Sequence, residues 1–178
     1  ALERLIQGFL RHSRLSHHYS LSFEAHPQST SAEHLRVLRE VGFNRLSLGV
    51  QDFDPQIMKT INRRQTEQQV RTVTEQARRL GYRSLNYDLI YGLPGQKSDH
   101  IDYNLRRVEE LRPERIAFYS YAHVPTIKPS QRAYSEADLP QGAAKRALYQ
   151  QGRAGLEALG YHPIAMDHFA RPEDDLAQ

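Results

Sequence analysis

The sequence predicts an α/β protein in which parallel strands alternate with helices, as in part of a (β/α) barrel. Two observations predict this fold: five short apolar segments alternate in period two like strands, and amphipathic segments with helical spacing separate them. Strict alternation of this kind makes a parallel sheet with helices outside it. Because five units are too few for an eight-unit barrel of roughly 250 residues, we expect an incomplete barrel with an open sheet edge.

Composition limits the chemistry that the chain can carry. Its 178 residues, 39% of them hydrophobic, can build one sizeable core. The formal charge is only +3 and the arginines are scattered, so we expect no nucleic-acid interface. With no cysteines, the chain cannot form disulfides or hold an iron–sulfur cluster by its own thiolates. No apolar run approaches the roughly 20 residues of a membrane span, so we expect a cytoplasmic protein without a membrane segment.

The first predicted helix covers residues 1–15 and has its apolar side chains on one face. Those side chains are Leu2, Leu5, Ile6, Phe9 and Leu10. His17 and His18 follow the helix, and adjacent histidines cannot both face one ion on a helix or strand. We therefore expect no metal role for this pair.

The first predicted strand covers residues 19–25, which alternate in period two and place Glu24 near the carboxyl end. The run 30–33 has the pattern of a capping box, with Thr30 followed three residues later by Glu33. We expect the helix that it opens to bury a stripe made of Leu35, Val37, Leu38 and Val41.

The second predicted strand, residues 45–50, runs directly into polar residues. Gly49 removes a side chain where the strand ends, so a ligand or a neighbouring backbone can come close. Gln51 and Asp52 follow at the carboxyl end, the edge at which parallel α/β folds gather their chemistry. Two solvated polar residues after an ordinary buried strand would give the same pattern, so both interpretations stay open.

Two helices are predicted after this strand. Asp54 and Pro55 start the first, because the aspartate oxygen accepts from orphan amides and the proline ring presets φ. Arg63 lies at its far end, and Thr66 with Gln69 forms a second capping box. The stripe of the second helix consists of Val70, Val73, Ala77 and Leu80.

The third predicted strand, residues 84–91, contains a carboxylate at Asp88 and is ended by the turn 92–96. A carboxylate inside an apolar strand is costly to bury unless a group pairs with it. Three interpretations remain open from the residues alone: a solvated rim position, a structural partner for an arginine, and a ligand-binding group.

The next helix starts at Ser98, and residues 115–121 form the fourth predicted strand. His123 lies just beyond it and could act as a general acid or base, because imidazole titrates near neutral pH. A loop histidine that only hydrogen-bonds its neighbours fits equally well. Residues 126–140 lack a clear period and are predicted as a loop with a function or with mobility.

The last predicted elements are a long helix over residues 141–159 and a fifth strand over residues 161–166. A polar run, residues 167–172, follows the strand. Exposed parallel edges invite pairing with another copy, so we also expect that this chain can oligomerise.

Four motifs, in this order and spacing, carry a resemblance to a known family. They are GVQDF with INR downstream, YDLIYGLPGQ, YAHVPT and MDHFARPEDDLA. Together they resemble oxygen-independent coproporphyrinogen III oxidases, radical S-adenosylmethionine enzymes of haem biosynthesis. The resemblance runs from about residue 19 to the end of the chain. MDHFARPEDDLA is its most specific part, whereas GLPGQ is shared by many radical enzymes.

The resemblance implies a partial radical SAM barrel whose parent enzyme holds a 4Fe–4S cluster and two S-adenosylmethionine molecules. In that family a 5′-deoxyadenosyl radical starts the oxidative decarboxylation of two propionates of coproporphyrinogen III, which gives the vinyl groups of protoporphyrinogen IX. By the matching motifs, Glu24 would contact the first S-adenosylmethionine. The second would be contacted by Gln51, Arg63, Asp88 and Ala122. No catalytic residue follows from the resemblance.

The chain departs from the family pattern because it lacks the CxxxCxxC loop that holds the cluster. We therefore expect residues 1–178 to be a barrel core without the family's N-terminal cluster-binding part and C-terminal domain, and to be inactive by themselves. The parent would be a monomeric oxidoreductase that takes a tetrapyrrole substrate and an electron donor protein.

Two other function classes are weighed beside this one. A haem-binding, chaperone-like relative would share the barrel, and a changed ending in place of MDHFARP would favour it. A nonradical barrel fragment of the aldolase type would show a catalytic lysine on a strand, and none of the five predicted strand cores carries one.

Overall fold

The computed structural model describes residues 2–14 and 19–177. Its helices in this part are α1 (Leu2–Arg11), α2 (Ala32–Glu40), α3 (Pro55–Thr60), α4 (Glu67–Arg79), α5 (Ser98–Leu111) and α6 (Gly142–Ala158). Its strands are β1 (Leu21–Ala25), β2 (Phe43–Gln51), β3 (Ser84–Tyr91), β4 (Arg115–Ser120), β5 (His162–Ala165) and β6 (His168–Ala170). Among these helices, none has both the length and the apolarity that crossing a bilayer requires. His17 and His18 lie outside the described residues.

The six strands form one open sheet in the order β1-β2-β3-β4-β6-β5. The pairs β1–β2, β2–β3 and β3–β4 are parallel, which confirms the predicted α/β fold of an incomplete barrel. Alternate residues of β2 and β3 face the helices and are almost fully buried: Leu46, Leu48, Val50, Leu85, Tyr87 and Leu89. The intervening residues of these strands line an open, polar side of the sheet, which we call the concave face.

The C-terminal part of the sheet differs from the prediction of a fifth parallel strand. β5 and β6 form an antiparallel hairpin, and β6 lies between β4 and β5 in antiparallel pairing with β4. The chain reverses at residues 166–167, where Met166 has a φ of 42°, in a two-residue turn. Phe169 and Ala170 are buried in the core, so the run predicted as polar contains a strand.

Two local predictions also need correction, and a third, for α1, is confirmed. α2 is capped by Ser31 rather than Thr30: its hydroxyl accepts from the His34 amide, and the His34 ring accepts from the Ser31 amide. Residues 126–140 contain two short 3-10 helices, Pro129–Ala133 and Glu136–Asp138. α1 is amphipathic as predicted, but its Leu5 and Phe9 are 72% and 69% exposed.

A cluster of charged side chains around Asp174 lies at the end of the sheet where the parallel strands begin. Asp174, 4% exposed, accepts from Ser84 Oγ at 2.5 Å and forms an ion pair with Arg115 Nε at 3.0 Å. Arg45 Nη2 lies 3.5 Å from the same carboxylate. The segment after β6 is therefore held against the first residues of β3 and β4 by one shared charge.

We predict that Asp174→Ala destabilises the protein by about 3 kcal/mol, because removing one partner leaves two buried guanidiniums without their counter-ion. Urea unfolding followed by circular dichroism measures this difference. Glu173→Ala is the matched control, since Glu173 is exposed and pairs only with Arg171 in the structure. Equal stability of the two variants would contradict this role of Asp174.

Candidate functional site

Two cavities open on the concave face and at its carboxyl edge. The larger, about 600 Å³, is lined by side chains of β1 to β4 and β6, among them Glu24, Ser47, Asn86, Asp88, Tyr119 and His168. The smaller, about 280 Å³, lies where β2 to β4 end and is lined by Gln51, Arg63, Ile90, Ala122, Lys128 and Gln131 among others. Both carboxylates and arginines line the larger cavity, and cations line the smaller one.

The structure divides the five residues singled out by the resemblance between these cavities. Glu24 and Asp88 line the larger one, and Gln51, Arg63 and Ala122 line the smaller one. Electrostatics link the two groups: burial lowers the pKa of the Arg63 guanidinium, and the charge of Asp88 raises it in part. The pKa of Asp88 in turn responds to the charge of Glu24. The charged groups of the two cavities therefore influence one another.

Asp88 is half-buried and held by two neighbours on the concave face. Asn86 Nδ2 donates to its Oδ1 at 2.8 Å, and Ser47 Oγ donates to its Oδ2 at 3.2 Å. Burial raises the pKa of the Asp88 carboxyl, those hydrogen bonds lower it, and the charge of Glu24 raises it again. Within the described residues Asp88 forms no direct ion pair, although its charge acts on Arg63 at longer range.

Gln51 and Arg63 approach each other around Gly49. Gln51 has a φ of 70°, and a Cβ added to Gly49 would lie 3.1 Å from the Gln51 amide nitrogen and 3.7 Å from Arg63 Nη1. Arg63 Nη1 donates to the Gly49 carbonyl at 3.1 Å and to Gln65 Oε1 at 3.4 Å. The missing side chain at position 49 thus leaves room for these two side chains, whereas the sequence predicted the approach of a ligand or a neighbouring backbone.

Asp52, which the sequence places beside Gln51, turns into the protein instead. It is 2% exposed, and its Oδ2 accepts from Gln96 Nε2 at 2.8 Å and Asn104 Nδ2 at 3.0 Å. Its Oδ1 accepts from the Asp54 amide at 2.7 Å. Burial raises the pKa of Asp52, and these three hydrogen bonds oppose the rise. Asp52 is therefore the shared acceptor of a buried hydrogen-bond network, which we call the hub, and it lines neither cavity.

The GLPGQ turn is fastened through the same hub. Gln96 Oε1 accepts from the amides of Gly92 at 2.6 Å and Leu93 at 3.3 Å, and Gln96 Nε2 donates to the Ile90 carbonyl at 3.0 Å. Gln96 therefore bonds to both sides of the turn while it also donates to Asp52. This places Ile90 at the wall of the smaller cavity.

The segment after β4 is tied to the 126–140 loop. Gln131 is 7% exposed and donates to the Ala122 carbonyl at 3.1 Å, and its Oε1 accepts from the Val124 amide at 2.6 Å. His123 lines neither cavity; its ring packs beside Tyr121 and Tyr134, and its Nδ1 is buried without a hydrogen-bond partner in the described part of the chain. The structure therefore gives no support to an acid–base role for His123.

Tyr119 and His168 belong to the larger cavity but were not predicted for it. The Tyr119 hydroxyl lies 3.3 Å from His168 Nε2, on neighbouring strands β4 and β6. Burial raises the pKa of Tyr119, and the charges of Asp88 and Glu24 add to the rise, so the phenol stays protonated. The period-two alternation along β4 could have identified Tyr119. His168 could not be identified in this way, because the strand that carries it, β6, was not predicted from the sequence.

No three histidine or carboxylate side chains in residues 2–14 and 19–177 come together as a metal site. The open polar groups are instead suited to an organic ligand with charged ends. Arg63 can hold a carboxylate, and Glu24 and Asp88 can hold an ammonium group or hydroxyls.

Comparisons with known proteins cover almost the whole chain. The sequence model of the Radical SAM superfamily matches residues 2–108. Oxygen-independent coproporphyrinogen III oxidase of Escherichia coli is 41% identical over 99% of this chain, and that of Pseudomonas aeruginosa is 46% identical over 86%. The chain spans only 38% and 34% of the length of these relatives.

A solved structure of the Escherichia coli coproporphyrinogen III oxidase, described as a radical SAM enzyme, superposes with a TM-score of 0.93. The match covers 99% of this chain and 41% of that one at 41% identity. The sheet, its helices and the terminal hairpin are thus a structural unit that occurs within a longer solved protein.

We predict that Asp52→Asn lowers the free energy of unfolding by about 2 kcal/mol. The side-chain amide of asparagine would point one of its own N–H donors at a buried donor that now bonds to the Asp52 carboxylate. Asp54→Asn is the control two residues away, and asparagine caps a helix as well as aspartate does. Urea unfolding of both variants measures the difference. Similar losses in the two variants would contradict the assignment of Asp52 as the hub.

We also predict a pH dependence from Asp88. Its folded-state pKa is raised above the ordinary value of 3.8, so protonation favours the folded state. The contribution is fully present below the unfolded pKa and is lost as the pH rises through the folded pKa. The stability of the wild type minus that of Asp88→Asn should therefore fall as the pH is raised from acidic to neutral. Urea unfolding across this range measures it, and a difference that rises with pH would contradict the prediction.

Proposed function

Because the chain belongs to the radical S-adenosylmethionine superfamily, we propose that it is the barrel core of an oxygen-independent coproporphyrinogen III oxidase. The reaction proposed for the full-length protein is the oxidative decarboxylation of two propionates of coproporphyrinogen III to vinyl groups, which gives protoporphyrinogen IX in haem biosynthesis. In this proposal residues 1–178 lack the N-terminal cluster-binding part and the C-terminal domain, and they do not turn over substrate by themselves.

One observation carries the proposal: the similarity to enzymes with this name extends over 99% of the chain at 41% identity. A match confined to the GLPGQ turn would support only the superfamily. Here the similarity also includes the terminal segment, where the hairpin and the Asp174 cluster form parts of the larger cavity and its base.

The residues present fit S-adenosylmethionine. At the smaller cavity the half-buried guanidinium of Arg63 lies near the side-chain amide of Gln51. A Cβ atom at position 49 would occupy part of the space beside these two groups. A guanidinium binds a carboxylate through two parallel hydrogen bonds, so we assign the methionyl carboxylate to Arg63. Ala122 lines the same cavity and offers its backbone there.

The carboxylates of the larger cavity suit the remaining polar groups of such a ligand. Asp88, held by Ser47 and Asn86, can accept from an ammonium group or from ribose hydroxyls, and Glu24 can do the same from β1. We propose two S-adenosylmethionine molecules, one at Glu24 and one at Gln51, Arg63, Asp88 and Ala122. Because Asp88 lines the larger cavity, this proposal lets the second molecule reach from one cavity into the other.

When bound next to a reduced 4Fe–4S cluster, S-adenosylmethionine supplies the radical that starts the chemistry of this superfamily. The chain has no cysteine, so in this proposal residues outside it hold the cluster. The residues of this chain orient the cofactor, and the buried hub of Asp52 keeps Gln51 fixed at the cavity edge. We further propose a monomeric, cytoplasmic full-length enzyme supplied with electrons by a donor protein.

We predict that Arg63→Ala in the full-length protein weakens S-adenosylmethionine binding tenfold or more, since a charge-assisted pair is worth roughly 1.5–3 kcal/mol. Asp88→Ala should weaken it in the same direction. Arg64→Ala is the matched control, because Arg64 is exposed and lines neither cavity. Equilibrium dialysis with labelled cofactor measures the affinities, and unchanged binding in both site variants would remove this assignment.

The function itself is tested by turnover of the full-length protein, expressed without oxygen and with its cluster rebuilt. Coproporphyrinogen III and S-adenosylmethionine are supplied, and vinyl product is measured by mass spectrometry. We expect protoporphyrinogen IX. Absence of turnover together with tight haem binding would overturn the proposal in favour of a haem-binding relative.

A further inference from the structure

The larger cavity carries opposite charges at its two ends. Glu24 and Asp88 line it toward the carboxyl ends of the strands, and Arg45 and Arg115 line it near their amino ends. Arg45 lies two residues before Ser47, which donates to Asp88, and a strand rises about 3.3 Å per residue. We call the end formed by Arg45, Arg115 and Ser84 the cavity floor. A ligand that fills the cavity meets acidic groups at one end and basic groups at the other.

The cavity floor has more positive than negative charge. Arg115 is well paired: its Nε lies 3.0 Å from Asp174, and its Nη2 donates to Ser84 Oγ at 2.9 Å. Arg45 has five N–H donors but, in the part of the chain that the structure describes, one contact, the 3.5 Å approach to Asp174. Two guanidiniums therefore share one carboxylate.

This imbalance matters because both arginines are largely shielded from water. The side chain of Arg45 is 15% exposed and that of Arg115 is 13% exposed. A partly buried guanidinium that shares its counter-ion can form a charge-assisted hydrogen bond with a further acceptor. Because Arg45 lines the cavity wall, a further acceptor in the cavity can approach it without moving Asp174.

We propose that the cavity floor binds a carboxylate group of the ligand, with Arg45 as the main donor and Arg115 beside it. A planar carboxylate matches the fork of a guanidinium, and the serine hydroxyl at position 84 lies at the same end of the cavity. Two ligands of the proposed function carry such a group: a propionate arm of the tetrapyrrole, and the methionyl end of S-adenosylmethionine. The choice between them rests on the proposed function, whereas the carboxylate site does not.

Arg45→Gln tests the proposal with little risk to folding, because Asp174 and Arg115 remain as a one-to-one pair. Three probes are measured on the full-length protein: coproporphyrin III by fluorescence polarisation, S-adenosylmethionine by calorimetry and succinate by saturation-transfer NMR. We expect at least tenfold weaker binding of each probe whose carboxylate occupies the floor. Arg36→Gln is the control, since Arg36 is an exposed arginine on α2 paired with Glu33 and Glu40. We expect this variant to bind all three probes with the affinity of the wild type.

A second variant is expected to change the affinity for carboxylate probes in the opposite direction. Asp174→Asn keeps an oxygen that can accept from Ser84 and Arg115 but removes the negative charge. In the folded variant the floor gains positive charge, so carboxylate probes should bind more tightly than they bind to the wild type. Circular dichroism identifies the temperature range in which this variant is folded.

The outcomes separate this proposal from the proposed function. Weaker coproporphyrin binding in Arg45→Gln assigns the floor to a propionate, and weaker S-adenosylmethionine binding assigns it to the methionyl carboxylate. If neither of these binds the wild type but succinate does, and Arg45→Gln weakens it, the carboxylate site stands and the proposed function fails. If Arg45→Gln binds all three probes as tightly as the wild type and Arg36→Gln do, the proposal is overturned.

Discussion

The buried carboxylate of Asp52 fixes the carboxyl edge of the sheet on which the rest of the site depends. It accepts from Gln96 in the turn after β3 and from Asn104 on α5, so a strand end, a turn and a helix share one acceptor. A buried network of this kind is favourable only when each member is satisfied, and Gln96 bonds on both sides of its turn. Because Asp52 turns inward, Gln51 before it takes a φ of 70° and faces the smaller cavity. The position of a cavity residue thus follows from that of its buried neighbour.

The concave face is polar because helices cover the opposite face of the sheet. On β2, Leu46 and Leu48 are buried, while Arg45 and Ser47, which alternate with them, line the larger cavity. Ionisable groups on such a face remain partly hydrated and form hydrogen bonds with short polar side chains. Asp88, for example, accepts hydrogen bonds from Ser47 and Asn86. This arrangement explains how one strand can hold a core and a binding surface at the same time.

The sequence was a good guide wherever side-chain alternation and local capping decide the structure. The bounds of β3, the cap at Asp54 and the Thr66–Gln69 capping box were predicted correctly. The inward turn of Asp52 could not be predicted, because its partners lie 44 and 52 residues away. Spacing alone also gave no sign that Asp88 and Glu24 would share a cavity apart from Gln51 and Arg63. Contacts of this kind depend on how distant strand ends meet, which a pattern in one stretch does not contain.

The terminal hairpin shows why the motif MDHFARPEDDLA is distinctive. Its first part turns the chain and places His168 in the cavity wall and Phe169 in the core. Its second part brings Asp174 under the strand beginnings, where it balances Arg115 and partly Arg45. A turn, a core residue, a wall residue and a buried counter-ion occur within these twelve residues, so substitutions at Phe169 or Asp174 would disturb packing or charge. A motif first identified by resemblance therefore has a physical basis: it completes the sheet and sets the charge at the base of the larger cavity.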